Sequence, residues 1–102
     1  MSDLVFLLSA DIDIQKAYEF HEDYQKGRGL VLMRHLDAAF TYLRNFPEIA
    51  PVFQGNYRRL LVPHFPYGIF YTLESGRIVV AAVIHLRKDP DVIRRRLGGE
   101  SA

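Results

Sequence analysis

The side chains with the strongest case for moving a proton or holding an anion lie in the last 46 residues of the chain. His85 stands at the end of an apolar run, and histidine is the side chain whose unperturbed titration falls nearest neutrality, so it has the chemistry of an acid or a base. Arg59 and Arg87 stay protonated at any ordinary pH; they can clamp a phosphate but cannot pass a proton. Lys88 follows Arg87 directly, and Arg94, Arg95 and Arg96 form a basic cluster near the end of the chain. His21 and His35 fall on separate helical stretches without the carboxylate or histidine spacing of a metal centre, and there is no cysteine, so neither a metal nor another cofactor is expected. His64, between Pro63 and Pro66, reads as a surface loop residue. A histidine at a strand end is more often a satisfied structural group than a catalyst, and that reading of His85 stands beside the chemical one.

These residues are carried by a chain of 102 residues, the size of one domain with one core. With 49% hydrophobic and 25% charged residues the composition is that of a globular protein rather than a disordered one. The absence of cysteine excludes disulfides and thiolate metal sites. No basic n-region or long apolar run suggests export or a membrane span, and the expected location is the cytoplasm. Charge is unevenly placed. Residues 1–56 hold five Lys/Arg against eight Asp/Glu, a balance of −3, and residues 57–102 hold eight against four, a balance of +4. A basic C-terminal half suits an anionic partner, either nucleic acid or an acidic peptide, although exposed arginines on strands are also often merely solvated.

The elements that must position these groups follow from periodicity. Tyr67 to Leu73 is rich in aromatic and β-branched residues and Ile78 to Ile84 is a β-branched apolar run, both of strand length. Glu74-Ser75-Gly76-Arg77 between them has hairpin-loop chemistry. Tyr57 to Val62 forms a third strand, set off by Pro63-His64-Phe65-Pro66. Arg58 and Arg59 then point to opposite faces, while Tyr67, Ile69 and Tyr71 share one and read as core. Upstream, Leu4 to Leu8 suits a first strand. A helix from about Ala10 to Lys26, with Ser9 and Asp11 as capping groups, turns Ile14, Ala17, Tyr18, His21 and Tyr24 inward. Gly27-Arg28-Gly29 ends it, and a second helix from about Leu30 carries Leu32, Leu36, Ala39, Phe40 and Leu43 until Asn45-Phe46-Pro47 and Pro51 break the pattern. A basic segment from Asp91 to Leu97 has room for a final turn or two of helix. The expected fold is α+β: a βααβββ(α) two-layer domain over residues 1–97, with the N-terminal strand and an αα-hairpin packed on an antiparallel sheet, and residues 98–102 as a flexible tail.

The combination of Asp11-Ile12, Gly29-Leu30, Pro47, Arg58-Arg59, Phe65-Pro66-Tyr67 with Ile69 and Tyr71, Ile78-Val79-Val80, and Ala82-Val83-Ile84-His85 followed by Arg87-Lys88-Asp89-Pro90 resembles the RelE/ParE superfamily of bacterial type II toxins. The resemblance covers nearly the whole chain, with these short motifs in the right order and spacing. It implies a small toxin neutralised by a cognate, ParD-like antitoxin in a hetero-oligomer. RelE-type members cleave mRNA on the ribosome; ParE-type members poison DNA gyrase and are not nucleases. Cleavage of RNA by its own 2′-hydroxyl needs a base, cations for the phosphorane and an acid for the leaving oxygen. Here His85, Arg59 and Arg87 are the candidates for those roles. The segment beyond Pro90 lacks a tyrosine, and Tyr57-Arg58-Arg59 stands where the RelE-type pattern has lysines. The arginine-rich ending is more similar to the ParE branch, with no catalytic residues and with Arg59, Arg87, Lys88, Arg94, Arg95 and Arg96 contacting the gyrase target or its DNA. The RelE-like endonuclease and a non-toxic interaction module on the same fold remain the alternatives. Val31, Met33, Phe46 and Phe53, apolar and off the core stripe, are the candidates for antitoxin contact, in a groove beside the helices or at a sheet edge.

Overall fold

The computed structural model describes residues 2–98. In chain order these form β1 (Asp3–Phe6), α1 (Leu8–Tyr24), α2 (Arg28–Asn45), β2 (Val52–Gln54), β3 (Tyr57–Leu61), β4 (Tyr67–Glu74), β5 (Arg77–His85) and α3 (Pro90–Gly98). The strands make one sheet in the order β1-β5-β4-β3-β2. β3, β4 and β5 form the expected antiparallel meander, and β1 adds to β5 in parallel at the edge, so the sheet is mixed. The β4–β5 loop is a two-residue turn with Ser75 and Gly76 both at positive φ (52° and 76°), whose twist matches that of the flanking strands.

The αα-hairpin covers one face. Leu32, Leu36, Ala39, Phe40 and Leu43 of α2 meet Tyr67, Ile69, Tyr71, Ile78, Val80 and Val83 of the sheet. On the other face α3 lays Ile93 and Leu97 against Phe70, Ala82 and Ile84. The apolar run of β5 serves both faces, and it contains a bulge. Phe70 pairs with Ala82 but Tyr71 pairs with Val80, which leaves Ala81 as an extra residue. The bulge re-phases the alternation, so Val80 and Val83, three apart, share the hairpin face.

Several expectations change. α1 begins at Leu8 rather than Ala10, its N-cap residue is Leu7, and neither Ser9 nor Asp11 caps it. The apolar run 4–8 is therefore divided: the strand ends at Phe6, and Leu8 opens the helix 74% exposed. Tyr24, in the last turn of α1, is 75% exposed rather than turned inward, and its ring lies 5.8 Å from the Arg28 guanidinium. β2 was not expected. It is only three residues long, follows the helix-breaking Pro51, and is held by pairing with β3 across a turn in which Gly55 takes φ 56°. Gly98 closes α3, and the rest of the expected tail at 98–102 lies outside the described residues. Among the described residues no helix is long and apolar enough to cross a membrane.

Candidate functional site

β5 is flanked by β1 only as far as Val80, so its last five residues would present an open edge. Two side chains of α1 take the place of the missing strand. The Ser9 hydroxyl donates to the Ala81 carbonyl at 2.9 Å, and Asp13 Oδ2 accepts the Val83 N–H at 3.0 Å. Ser9 and Asp13 lie one helical turn apart, which puts both on the face that meets β5. From the other side of the sheet Arg96 of α3 reaches round the edge and donates to both Asp13 oxygens, at 3.2 and 2.9 Å. Between α1 and α3 remains a cleft of about 610 Å³, lined by Lys16 and Phe20 of α1, Tyr67, Val83, Ile84 and His85 of the sheet, Arg87 and Lys88 of the following turn, and Val92 of α3, with Asp13 and Arg96 at its side.

His85 is half-buried in this cleft. Its Nδ1 accepts the backbone N–H of Arg87 at 3.1 Å, so in the neutral ring the proton sits on Nε2. Burial first, then the positive charges of Arg87 and Lys88, hold its pKa below the ordinary histidine value. The Tyr67 ring stands edge-on to it at 5.3 Å. Beneath them runs a buried polar chain. Arg28 Nε donates to His21 Nδ1 at 3.1 Å, which requires the proton on Nε2, and that nitrogen meets the Tyr67 hydroxyl at 3.2 Å. His21 is 5% exposed, and burial, then Arg28, then His85 lower its pKa; burial raises that of Tyr67. Both histidines are therefore neutral at pH 7. The cleft offers a histidine N–H donor and several cations, but His85 has no free lone pair for general-base work, and its neighbours oppose the imidazolium that general-acid work requires.

The residues expected to form a site are brought together only in part. His85, Arg87, Lys88 and Arg96 line the cleft, Arg96 being engaged with Asp13. Arg59 does not reach it. It lies opposite Phe70 on β3, with its guanidinium stacked 4.7 Å from the Phe53 ring. Arg94 pairs with Asp91 on the same helix and Arg95 is exposed. Arg58 points the opposite way, as expected, and donates to the carbonyls of Glu48 and Ala50. The four apolar candidates do not form one groove. Val31 and Phe46 are exposed, at 42% and 54%, at opposite ends of α2. Met33 is half-buried against the hairpin-side core. Phe53 packs on Phe70, on the α3 side of the sheet. Lys16, Phe20 and Tyr67 were missed as cleft residues. Lys16 and Phe20 are four apart on the polar side of α1, a spacing that sequence could have offered, whereas Tyr67 was absorbed into the core stripe. His64 is exposed and packs edge-on against His35 at 5.2 Å. Among the described residues no three His, Asp or Glu side chains gather as a metal site.

Neither a protein-family model nor a curated protein matches this chain. Among solved structures it is similar to a chain of the chromosomal ParDE TA system from P. aeruginosa, with a TM-score of 0.76 at 13% identity, over 85% of this chain and 98% of that one. At that identity the likeness is one of fold.

Proposed function

We propose that this protein is the toxin of a type II toxin–antitoxin system, ParE-like, which arrests growth by poisoning DNA gyrase in the cytoplasm and is neutralised by a ParD-like antitoxin. The observation that carries this reading is the fold likeness to a chain of the P. aeruginosa ParDE system, which takes in nearly all of that chain. The exposed cations support a target-binding rather than a catalytic role. Arg87, Lys88 and Arg95 are solvent-facing, and the histidine placed beside the first two, His85, is held toward its neutral form with its acceptor nitrogen already engaged. Arg87 and Lys88 are the residues assigned to the target. The exposed apolar residues Val31 on α2 and Phe46 at its C-cap are assigned to the antitoxin.

The test is a supercoiled-plasmid assay with gyrase and ATP, scored for trapped cleavage complexes. Complexes that appear with the protein, vanish with its antitoxin and are lost in an Arg87→Glu/Lys88→Glu variant of unchanged melting temperature are the expected result. Growth arrest in cells without any effect on gyrase would overturn it.

One observation favours a second reading, a RelE-like ribosome-dependent mRNA endonuclease. His85, Tyr67 and Arg87 share one cleft, which places two proton-bearing groups in the same concavity as a cation of the type that clamps phosphate. The endonuclease reading requires that His85→Ala abolish both growth arrest and mRNA cleavage. A wild type harmless on induction without antitoxin would instead mark a non-toxic interaction module.

A further inference from the structure

The cleft between α1 and α3 holds more positive charge than the fold itself uses. Arg96 and Asp13 cancel each other across it, and among the described residues Asp13 is the one carboxylate in its lining. Lys16, Arg87 and Lys88 remain, and among the described residues no ion pair engages any of the three. They come from two different segments and converge on one concavity, together with the Nε2–H that the Arg87 contact leaves on His85. Cations that are merely solvated spread over convex surface. These three line one cleft, and in a concave site their fields add. Beside them the Phe20 ring lines the cleft and is 61% exposed, with its one aromatic neighbour among the described residues, His21, edge-on at 5.1 Å.

We propose that this cleft binds a phosphomonoester of mononucleotide size, its phosphate held by Lys16, Arg87 and Lys88 and its planar base lying against Phe20. Three cations and an N–H donor match a dianionic phosphate better than a carboxylate, which a single arginine satisfies. The volume of about 610 Å³ lies within the range of small-ligand sites. The Asp13–Arg96 pair joins the two walls at the level of Val83, so the cleft is closed toward that side rather than continuing along β5 as a strand-length groove. This site goes beyond the gyrase reading: Lys16 and Phe20 have no part in that reading, and ligand binding is measured directly, so either proposal stands if the other fails.

The experiment is titration of the folded protein with adenosine 5′-monophosphate, inorganic phosphate, adenosine, and a single-stranded oligonucleotide without terminal phosphates. Calorimetry is read together with the His85 ring resonances. The nucleotide is expected to saturate one site, to move the His85 signals and to raise the pH at which they titrate, while adenosine does neither. Lys16→Glu is expected to weaken nucleotide binding roughly tenfold, the loss of one charge-assisted contact, with an unchanged melting temperature because Lys16 is exposed. Phe20→Ala is expected to weaken the nucleotide but not inorganic phosphate. Binding unaffected by Lys16→Glu, or no response at His85, overturns the proposal. So does tighter binding of the oligonucleotide than of the mononucleotide with a salt dependence of several phosphates, which would assign the charge to a phosphodiester strand.

Discussion

Arg96 of α3 and Asp13 of α1, 83 residues apart, meet in a two-contact ion pair that straps the helix on one face of the sheet to the helix on the other. Asp13 also accepts the Val83 N–H, so one carboxylate holds the open edge of β5 and the C-terminal helix together. The two partners should therefore differ in mutational cost. Arg96→Ala removes a part-exposed ion pair and is expected to cost about 1 kcal/mol. Asp13→Ala also strands a backbone donor and is expected to cost about 2 kcal/mol. Urea denaturation of the two single variants and the double variant checks this. Equal costs would mean that the Val83 contact contributes nothing.

This strap also marks the limit of what sequence alone discloses. The meander was legible because Tyr67–Leu73 and Ile78–Ile84 carry strand-forming residues on either side of a polar, glycine-containing loop, and the α2 stripe was legible because Leu32, Leu36, Ala39, Phe40 and Leu43 repeat at helical spacing. Asp13 could not be read in the same way. A carboxylate in the first turns of a helix already has a local reason to be there, in the helix dipole, so its long-range use leaves no trace in spacing. The bulge at Ala81 was equally hidden, because a run apolar on both faces looks the same in either register. Arg59 and Arg87 both read as free cations, and only the fold shows one stacked on Phe53 and the other in the cleft.

Glu22 of α1 serves as the cap of α2. Gly27 at the N-cap position has no side chain to offer, and the Glu22 carboxylate instead accepts the N–H groups of Gly27, at 3.1 and 3.0 Å, and of Gly29, at 3.1 Å. A negative charge there also meets the positive end of the α2 dipole. Glu22→Ala is expected to destabilise the protein by about 1–2 kcal/mol, the usual value of an N-cap. Glu22→Gln should recover part of this through a retained carbonyl acceptor. Thermal unfolding of both variants tests the ranking, and equal losses would leave charge rather than hydrogen bonding as the whole effect.

Tyr71 anchors the chain between α2 and β2. Its ring is fully buried, and its hydroxyl donates to the Pro47 carbonyl at 2.8 Å while Arg58 secures the Ala50 carbonyl at 2.7 Å. Tyr71→Phe keeps the packing but leaves the carbonyl without that donor, at an expected cost of about 1 kcal/mol. Because the loss is local, amide exchange should quicken around residues 46–51 more than in β4 or β5. Uniform quickening across the sheet would show that the hydroxyl acts on global stability instead.

The His21–Tyr67 pair, 3.2 Å apart, makes stability depend on pH, and the sign follows from which state binds the proton more readily. In the folded protein burial and the neighbouring Arg28 hold the His21 pKa below the ordinary value of 6.5, and His85 is lowered in the same direction by its own burial and by Arg87 and Lys88. Once the pH falls below 6.5 the unfolded chain takes up protons that the folded chain refuses, so stability is complete above that point and declines below it, until the folded-state values are passed. Protonating His21 in place would also set an imidazolium N–H against the Arg28 N–H, replacing a hydrogen bond with repulsion between like charges. Urea midpoints measured from pH 8 to pH 5 are expected to fall in the wild type and to fall less steeply in His21→Gln, whose side chain can still bridge Arg28 and Tyr67 without titrating. His85→Gln should remove a further part of the slope, and a double variant as steep as the wild type would place the pH dependence elsewhere in the chain.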